Sequence, residues 1–335
     1  MNSSTFDIDA IVTWVDGDDP LHRAKLNALL ATLESRPATA APTRFRSVGE
    51  IDWCVTSLLR FAPFFRQIYI VTDQQIPPLF ERSRLWSAQH RDKLRLVDHR
   101  SIFVGHEDAL PTFNSRSIAT MAHRVPNLSE HFVYFNDDMF LLRPTPIDAF
   151  FKEGRPVVRG RWRIPQDREL GQRLKRTLRN WLRRPKAARP LHQRSQAKAA
   201  AMLGYAHRYF GTDHVPYPLR RSQYESFFAR HPESLEANIR PRLRDLSQFD
   251  PVSLANHLEI QSSSAVLEAD LATLYLEPAA MDVDELGPCL TRAERDADIL
   301  FACVQSLDEA PAGVAQLVVD WLDQRIGRNP PLSGV

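Results

Sequence analysis

Four short apolar runs in the N-terminal part of the chain each stop abruptly in polar, mostly acidic residues. Ile8–Val15 runs into Asp16–Gly17–Asp18–Asp19–Pro20, and Gln67–Val71 into Thr72–Asp73. Leu94–Val97 ends at Asp98–His99, and Phe132–Phe135 at Asn136–Asp137–Asp138. Short β-branched or aromatic runs of this kind read as strands buried on both faces. Carboxylates cannot follow such a strand into a dry core without compensation. Helix signals lie between the runs. Leu21, Leu26, Leu29 and Leu30 follow the first. Ser47 to Glu50 fits a capping box ahead of Ile51, Val55, Leu58, Leu59 and Phe61, with a stop before Pro63. Asn114 to Val125 is helical in pattern and ends at Pro126. This alternation predicts an α/β, Rossmann-like, largely parallel sheet with helices on both faces. Ligands of such sheets bind at the carboxyl ends of strands, so the four polar clusters are expected to converge on one cleft.

The pattern changes beyond residue 150, which divides the chain into an α/β core (1–150), a basic helical insertion (151–205) and the remainder of the same unit with C-terminal helices (206–330). From Arg155 to Lys198 there are fifteen Lys or Arg against two acidic residues. Leu170, Leu174, Leu178, Trp181 and Leu182 recur there at helical spacing, predicting a basic amphipathic helix over Leu170–Arg184. Ala187 to Ala201 reads as a loop or weak helix. Helices are expected at Ser222–Phe228, Pro232–Ala237, Val252–Leu258 and Val314–Ile326, and a frayed end at Asn329–Pro330–Pro331.

The net charge of +2 excludes a strongly electrostatic partner for the chain as a whole. The basic stretch is interrupted by only two aromatics, Trp162 and Trp181, which argues against a nucleic-acid-binding module. No leader pattern and no apolar run of membrane-spanning length is seen. The three cysteines, Cys54, Cys289 and Cys303, are widely spaced and odd in number. That argues against a disulfide framework or zinc site and for a reducing cytoplasm.

Asn136–Asp137–Asp138 carries the strongest chemical signal. A divalent ion would compensate two adjacent carboxylates, and Mg²⁺ takes one or two carboxylates and completes its shell with phosphate oxygens and water. A solvated turn is the alternative. In Thr13–Trp14–Val15–Asp16–Gly17, Trp14 suits stacking on a base and Gly17 a close backbone approach to phosphate; a core Trp and a turn Gly explain them equally. Leu110 to Ser115, including Thr112 and Asn114, precedes a helix whose N–H groups would favour a diphosphate, or Asn114 and Ser115 simply cap it. Among eleven histidines, His214 in Asp213–His214–Val215–Pro216 is not singled out by spacing alone, nor is Arg244 in Arg240–Asp245.

Ile8 to Pro20 closely resembles the first conserved region of the Stealth family. Arg44 to Arg143 resembles the second, through Phe45–Arg46 with Glu50, Ile68–Thr72, Leu110–Ser115, His123–Arg124 and Tyr134–Asp138. Asp213 to Tyr224, with Arg244 and His257, looks like the third region, and Phe301 to Gly327 like a looser fourth. The resemblance implies a glycosyltransferase-A-like nucleotide-sugar-binding core. It also implies transfer of a sugar-1-phosphate from a UDP-sugar to a hydroxyl of a capsular or exopolysaccharide glycan, with release of UMP and dependence on Mg²⁺ or Mn²⁺. Carried over by position, Asp137 and Asp138 hold the metal and Asn136 the diphosphate. Thr13, Trp14, Asp16, Gly17, Thr72, Thr112, Asn114, Ser115 and Arg124 line the donor site. His214 is the candidate base and Arg244 the phosphate clamp, with Asp138 completing the catalytic set.

Two departures from the family stand out. Ala119 replaces a frequent Glu, and Cys303–Val304–Gln305–Ser306 replaces Cys–x–Asn–Asp, leaving Asp308 as a compensating carboxylate. The rival expectations are a metal-dependent glycosyltransferase that releases UDP and a non-catalytic nucleotide-sugar binder. The basic stretch 155–198 is expected to be a solvated face, a contact for an anionic polymer, or a peripheral contact with the inner face of the plasma membrane.

Overall fold

Strand β1 (Ile8–Thr13) is buried along almost its whole length and occupies the middle of the main sheet. The computed structural model describes residues 6–41, 45–165 and 190–330. β1 pairs in parallel with β2 (Ile68–Thr72) on one side and β4 (His131–Asn136) on the other. β3 (Leu94–Asp98) extends the sheet beyond β2 in the same direction. β10 (Tyr217–Arg220) closes it antiparallel to β4, giving the order β10-β4-β1-β2-β3. Apolar residues cover both faces of these strands, as a parallel sheet requires. Asp9, fully buried within β1, is tolerated because it is saturated: Arg66 donates through Nε (3.0 Å) and Nη2 (2.6 Å), and the amides of Gln67 and Ser129 complete the set.

Because the four parallel strands share a direction, Thr13, Thr72, Asp98 and Asn136 line one edge. Thr13 pairs with Asn136, and Thr72 with Asp98. The expected convergence of the polar clusters is therefore built into the register. Helix α1 (Pro20–Leu30) starts beneath the first cluster, with Asp19 accepting from the His22 amide at 2.7 Å. Helix α2 (Glu50–Phe61) buries eleven of its twelve residues. Its start differs from the expected capping box. Gly49 takes the N-cap position at φ 95°, and Glu50 folds back onto the Val48 amide and the Ser47 hydroxyl. Helix α3 (Ser115–Met121) is capped by Asn114 as expected and continues into a 3-10 turn, Ala122–Arg124.

A second sheet forms directly after the acidic turn. β5 (Met139–Leu141) pairs antiparallel with β13 (Phe301–Val304), which pairs in parallel with β12 (Thr273–Leu276). The C-terminal part of the chain thus packs onto the strand that leaves the main sheet.

The expected basic helical insertion requires correction at its start. Residues from 151 form strands β6 (Phe151–Lys152), β7 (Arg155–Arg159) and β8 (Arg161–Arg163). Val157 and Val158 are buried there, and Glu268 of β11 (Val266–Glu268) pairs with both Arg159 and Lys152. β8 pairs with β9 (Tyr209–Gly211). The predicted amphipathic helix Leu170–Arg184 lies outside the described residues. Helix α4 (Pro190–Met202) decides between the expected loop and weak helix in favour of a helix. Helices α5 (Arg221–Arg230), α6 (Pro232–Ile239), α7 (Pro251–Gln261) and α9 (Ala312–Arg325) fall where patterning put them. Helix α8 (Val283–Arg295) was not expected, since Gly287 and Pro288 break its pattern; a capping box, Asp282 with Glu285, starts it. No helix among the described residues is long and apolar enough to cross a membrane.

His123, after α3, is 5% exposed and stacks on Tyr224 with ring centroids 5.3 Å apart. Its Nδ1 lies 2.9 Å from the Thr120 carbonyl, so Nδ1 carries the proton and donates. Burial pushes its pKa down to about 4, whereas in the unfolded chain it titrates near 6.5. The folded protein thus resists a proton that the unfolded chain accepts, so stability is full above about pH 6.5 and falls as the pH drops towards 4. His123→Phe is expected to remove about 3 kcal/mol of that acid sensitivity. Denaturant melts of both proteins at pH 7 and pH 4.5 check this, and parallel pH profiles would sink it.

Candidate active site

Asp137 and Asp138 form the short connection between β4 of the main sheet and β5 of the second. The Val304 amide donates to the Asp138 carbonyl at 3.0 Å, which fixes the turn against β13. The Cys54 thiol of α2 lies 3.9 Å from the Asn136 carbonyl, and the Ser57 hydroxyl accepts from the Leu141 amide at 3.0 Å. The acidic pair is therefore held from three elements while keeping an open face towards the carboxyl edge of the sheet.

Its electrostatics are unfavourable as they stand. Burial, then the nearby Glu50 carboxylate, pushes Asp138 up to about 7. Asp137 is raised well above the usual carboxylate range by burial, Glu50 and Asp138. Glu50 is itself raised by burial, with Asp308 adding to the repulsion. Cys54 and Cys303 flank the pair, and burial raises both thiols, which therefore stay neutral. Among the described residues no Lys, Arg or His forms an ion pair with Asp137 or Asp138. The Asp138 Oδ1 is buried without a hydrogen-bond partner, and so is the Asp308 Oδ2.

A divalent cation answers each of these features. Among the described residues no three His, Cys, Asp or Glu side chains close around one point as an all-protein cage would. The donor set instead fits Mg²⁺ or Mn²⁺ held by Asp137 and Asp138, with the remaining positions left to substrate oxygens and water.

Gln305 and Cys303 lie beside the Asp138 carboxylate and partly offset its upward shift. The Gln305 side-chain oxygen accepts from the Tyr275 hydroxyl at 2.9 Å. Tyr275 stacks against His214 (5.9 Å, 22°), which stacks in turn on His192 (4.9 Å, 20°). Gln305 thus keeps a side-chain amide where the family pattern has Asn. Ser306 adopts a left-handed φ of 55°, a conformation that Asn or Asp takes more readily. Arg244 donates to the Ser115 hydroxyl through Nε (3.0 Å) and Nη2 (2.6 Å). Its charge is felt at Tyr134, as are those of Asp250 and Asp137, and Tyr134 is pushed up to about 12 by burial. The Tyr134 hydroxyl and the Thr13 Oγ1 are 3.1 Å apart, and Thr13 also reaches Asn136 at 3.5 Å. Thr13, Ser115, Asn136, Asp137, Asp138, His214 and Arg244 therefore belong to one connected neighbourhood.

Other expected donor-site residues have structural roles. Trp14 belongs to the hydrophobic core at 8% exposure rather than to a base-stacking surface. Gly17 is small because a Cβ there would stand 2.5 Å from the Phe45 carbonyl oxygen; the space above it holds chain, not phosphate. Asn114 is fully buried and spent on the α3 cap, the Pro241 carbonyl and Gln248. Thr72 and Thr112 are 1% and 3% exposed. Asp16 closes a turn onto the Asp18 amide, while its backbone is held by Gln75. Arg124 donates to the Val104 carbonyl at 2.8 Å. Conversely, Glu50, Tyr134, Tyr275 and His192 were missed as site residues. Glu50 carried a signal, but it read as a helix cap.

Comparison with known proteins finds a family and several relatives. The model for Stealth protein conserved region 2 matches residues 44–158, and that for conserved region 1 matches residues 6–34. The chain thus carries the first two conserved regions of the Stealth proteins. An exopolysaccharide phosphotransferase of Streptomyces coelicolor is 33% identical over 304 residues, covering 87% of this chain and 50% of its own. One of Lactiplantibacillus plantarum is 42% identical over 155 residues, covering 46% of this chain and 42% of its own. The match spans between 26% and 50% of the length of the curated relatives. Among solved structures, the galactosyltransferase LgtC, crystallised with donor and acceptor sugar analogues, aligns over 97% of each chain at 8% identity and a TM-score of 0.46. So distant a likeness carries no argument.

Crowded carboxylates cost stability when no cation is present. Asp138→Asn is expected to raise the melting temperature in EDTA by about 2 °C, corresponding to about 1 kcal/mol. Mn²⁺ should raise the melting temperature of the wild-type chain through binding, but not that of the variant. A variant that melts lower in EDTA and still responds to Mn²⁺ would rule out this assignment.

Proposed function

We propose that the chain is a divalent-cation-dependent transferase that moves a sugar-1-phosphate from a UDP-sugar to a hydroxyl of a growing capsular or exopolysaccharide. A phosphodiester forms and UMP leaves. The observation that carries this reading is the unneutralised Asp137–Asp138 pair at the carboxyl edge of the sheet, connected through Gln305 and Tyr275 to His214. The names of the related phosphotransferases support the same reaction class.

Asp137 and Asp138 hold Mg²⁺ or Mn²⁺, which when bound supplies positive charge to the diphosphate and the departing UMP. His214 takes the proton of the acceptor hydroxyl as its oxygen attacks the phosphorus attached to the sugar. Its imidazole plane is fixed between His192 and Tyr275, so that an acceptor meets a preset base. Arg244 presents a planar guanidinium already oriented by Ser115 and steadies the phosphoryl oxygens. Phosphoryl transfer depends mainly on positioning and charge stabilisation, and this set of residues supplies both. The site works in the cytoplasm, where nucleotide sugars are made available to polymer synthesis.

Incubation with UDP-sugars, Mg²⁺ and a glycan acceptor is expected to release UMP. Release of UDP instead would mean transfer of the sugar alone, and no release would mean a binding protein. His214→Ala is expected to lower turnover at least about a hundredfold. Wild-type turnover in that variant would remove His214 from the role of base.

A further inference from the structure

Strands β8 and β9 form a two-stranded ribbon that the proposed chemistry does not use. In it Trp162 lies opposite Phe210, with ring centroids 5.6 Å apart and edge to face, and Tyr205 lies 6.1 Å away. Trp162 is 37% exposed, whereas every other tryptophan among the described residues is 8% exposed or less. An indole is large enough that folding ordinarily hides most of it, so an open one on a strand is available for contact. The Arg208 guanidinium sits 4.3 Å over the indole, and the neighbouring Arg161 is exposed. Neither arginine has a carboxylate partner among the described residues. A guanidinium stacked on a ring keeps its in-plane N–H groups free to meet an anion's oxygens in pairs.

The ribbon is also fastened to the candidate active site. Arg163 of β8 crosses Gly211, where a Cβ would stand 2.6 Å from the Arg163 Cδ, and reaches the Asp213 Oδ2 at 2.6 Å. Asp213 immediately precedes His214. The ribbon is thereby tied to the segment that carries the residue assigned as base.

We infer that the surface formed by Trp162, Tyr205 and Arg208 is a docking platform for the phosphodiester-linked glycan chain that the enzyme extends. This rests on the proposed reaction, because each transfer adds one phosphodiester and makes the growing polymer a polyanion. The indole takes the apolar face of a sugar ring, and Arg208 takes the phosphodiester oxygens. The charge match is local: Arg208, stacked on the indole, is exposed and has no carboxylate partner among the described residues.

Affinity electrophoresis of the full chain tests this without turnover. The gels contain a bacterial capsular polymer with sugar-1-phosphate repeats, neutral dextran, or dextran sulfate. Retardation by the phosphodiester polymer is expected, with none by dextran and less by dextran sulfate. Trp162→Ala and Arg208→Glu should each weaken apparent affinity about tenfold, while Trp162→Phe stays within about threefold. Arg208 is exposed, so its variant reports on binding even if Trp162→Ala loosens the ribbon, which a thermal melt would reveal. The inference is overturned by unretarded migration, by unchanged affinity in both variants, or by dextran sulfate binding as tightly as the phosphodiester polymer. Flotation with phosphatidylglycerol vesicles without retardation by the polymer would also overturn it, in favour of a membrane surface. UMP release with unretarded migration removes the platform alone, and retardation without nucleotide release removes the reaction alone.

Discussion

The hydrogen bond from the Val304 amide to the Asp138 carbonyl ties the second sheet to the turn that carries the chain's acidic pair. Without it, Asp137 and Asp138 would form an ordinary turn, free to rotate into water. With it, the pair is held beneath Cys54 and Cys303 and beside Glu50, where desolvation and mutual repulsion raise every carboxylate involved. A fold tolerates such a cluster where a retained proton or a bound cation compensates it. The buried, unpartnered Oδ1 of Asp138 shows that the protein's own side chains do not meet that need.

The same turn organises the rest of the site. β13 supplies Cys303 and leads to Gln305, whose contact with Tyr275 reaches the His214–His192 stack. On the other side Thr13 and Tyr134 link the ends of β1 and β4 to the neighbourhood of Arg244. The departure at Gln305 from the family pattern therefore does not leave a gap. Gln305 retains an amide and, being longer than Asn, spans Asp138 and Tyr275 together.

The strands and their polar ends were legible because burial on both faces demands continuous apolar residues, and nothing else in the chain satisfies that demand as plainly. Most long helices were legible for the corresponding reason, a 3.6-residue apolar period. The short strands at 139–141, 273–276 and 301–304 were not, because three or four apolar residues fit a strand or a buried helix equally. Glu50 looked like a cap because sequence shows its distance from Ser47 but not from Asp138. Trp14 and Gly17 looked like ligand contacts because an aromatic and a glycine beside carboxylates fit either role. Only the position of Phe45 and of the core decides between them.

Taken alone, the sequence determined the parallel core, the common edge of its polar clusters and the acidic pair as the chemical focus. It could do so because local burial and strand direction follow from residue order. Tertiary structure alone decided which distant residues complete that focus: Glu50 of α2, Gln305 after β13, and the stacked His192, His214 and Tyr275. These are brought together from separate segments by the packing of α2 and the second sheet onto the turn, and the energies that shift the carboxylates depend on distance and desolvation, which residue order does not encode.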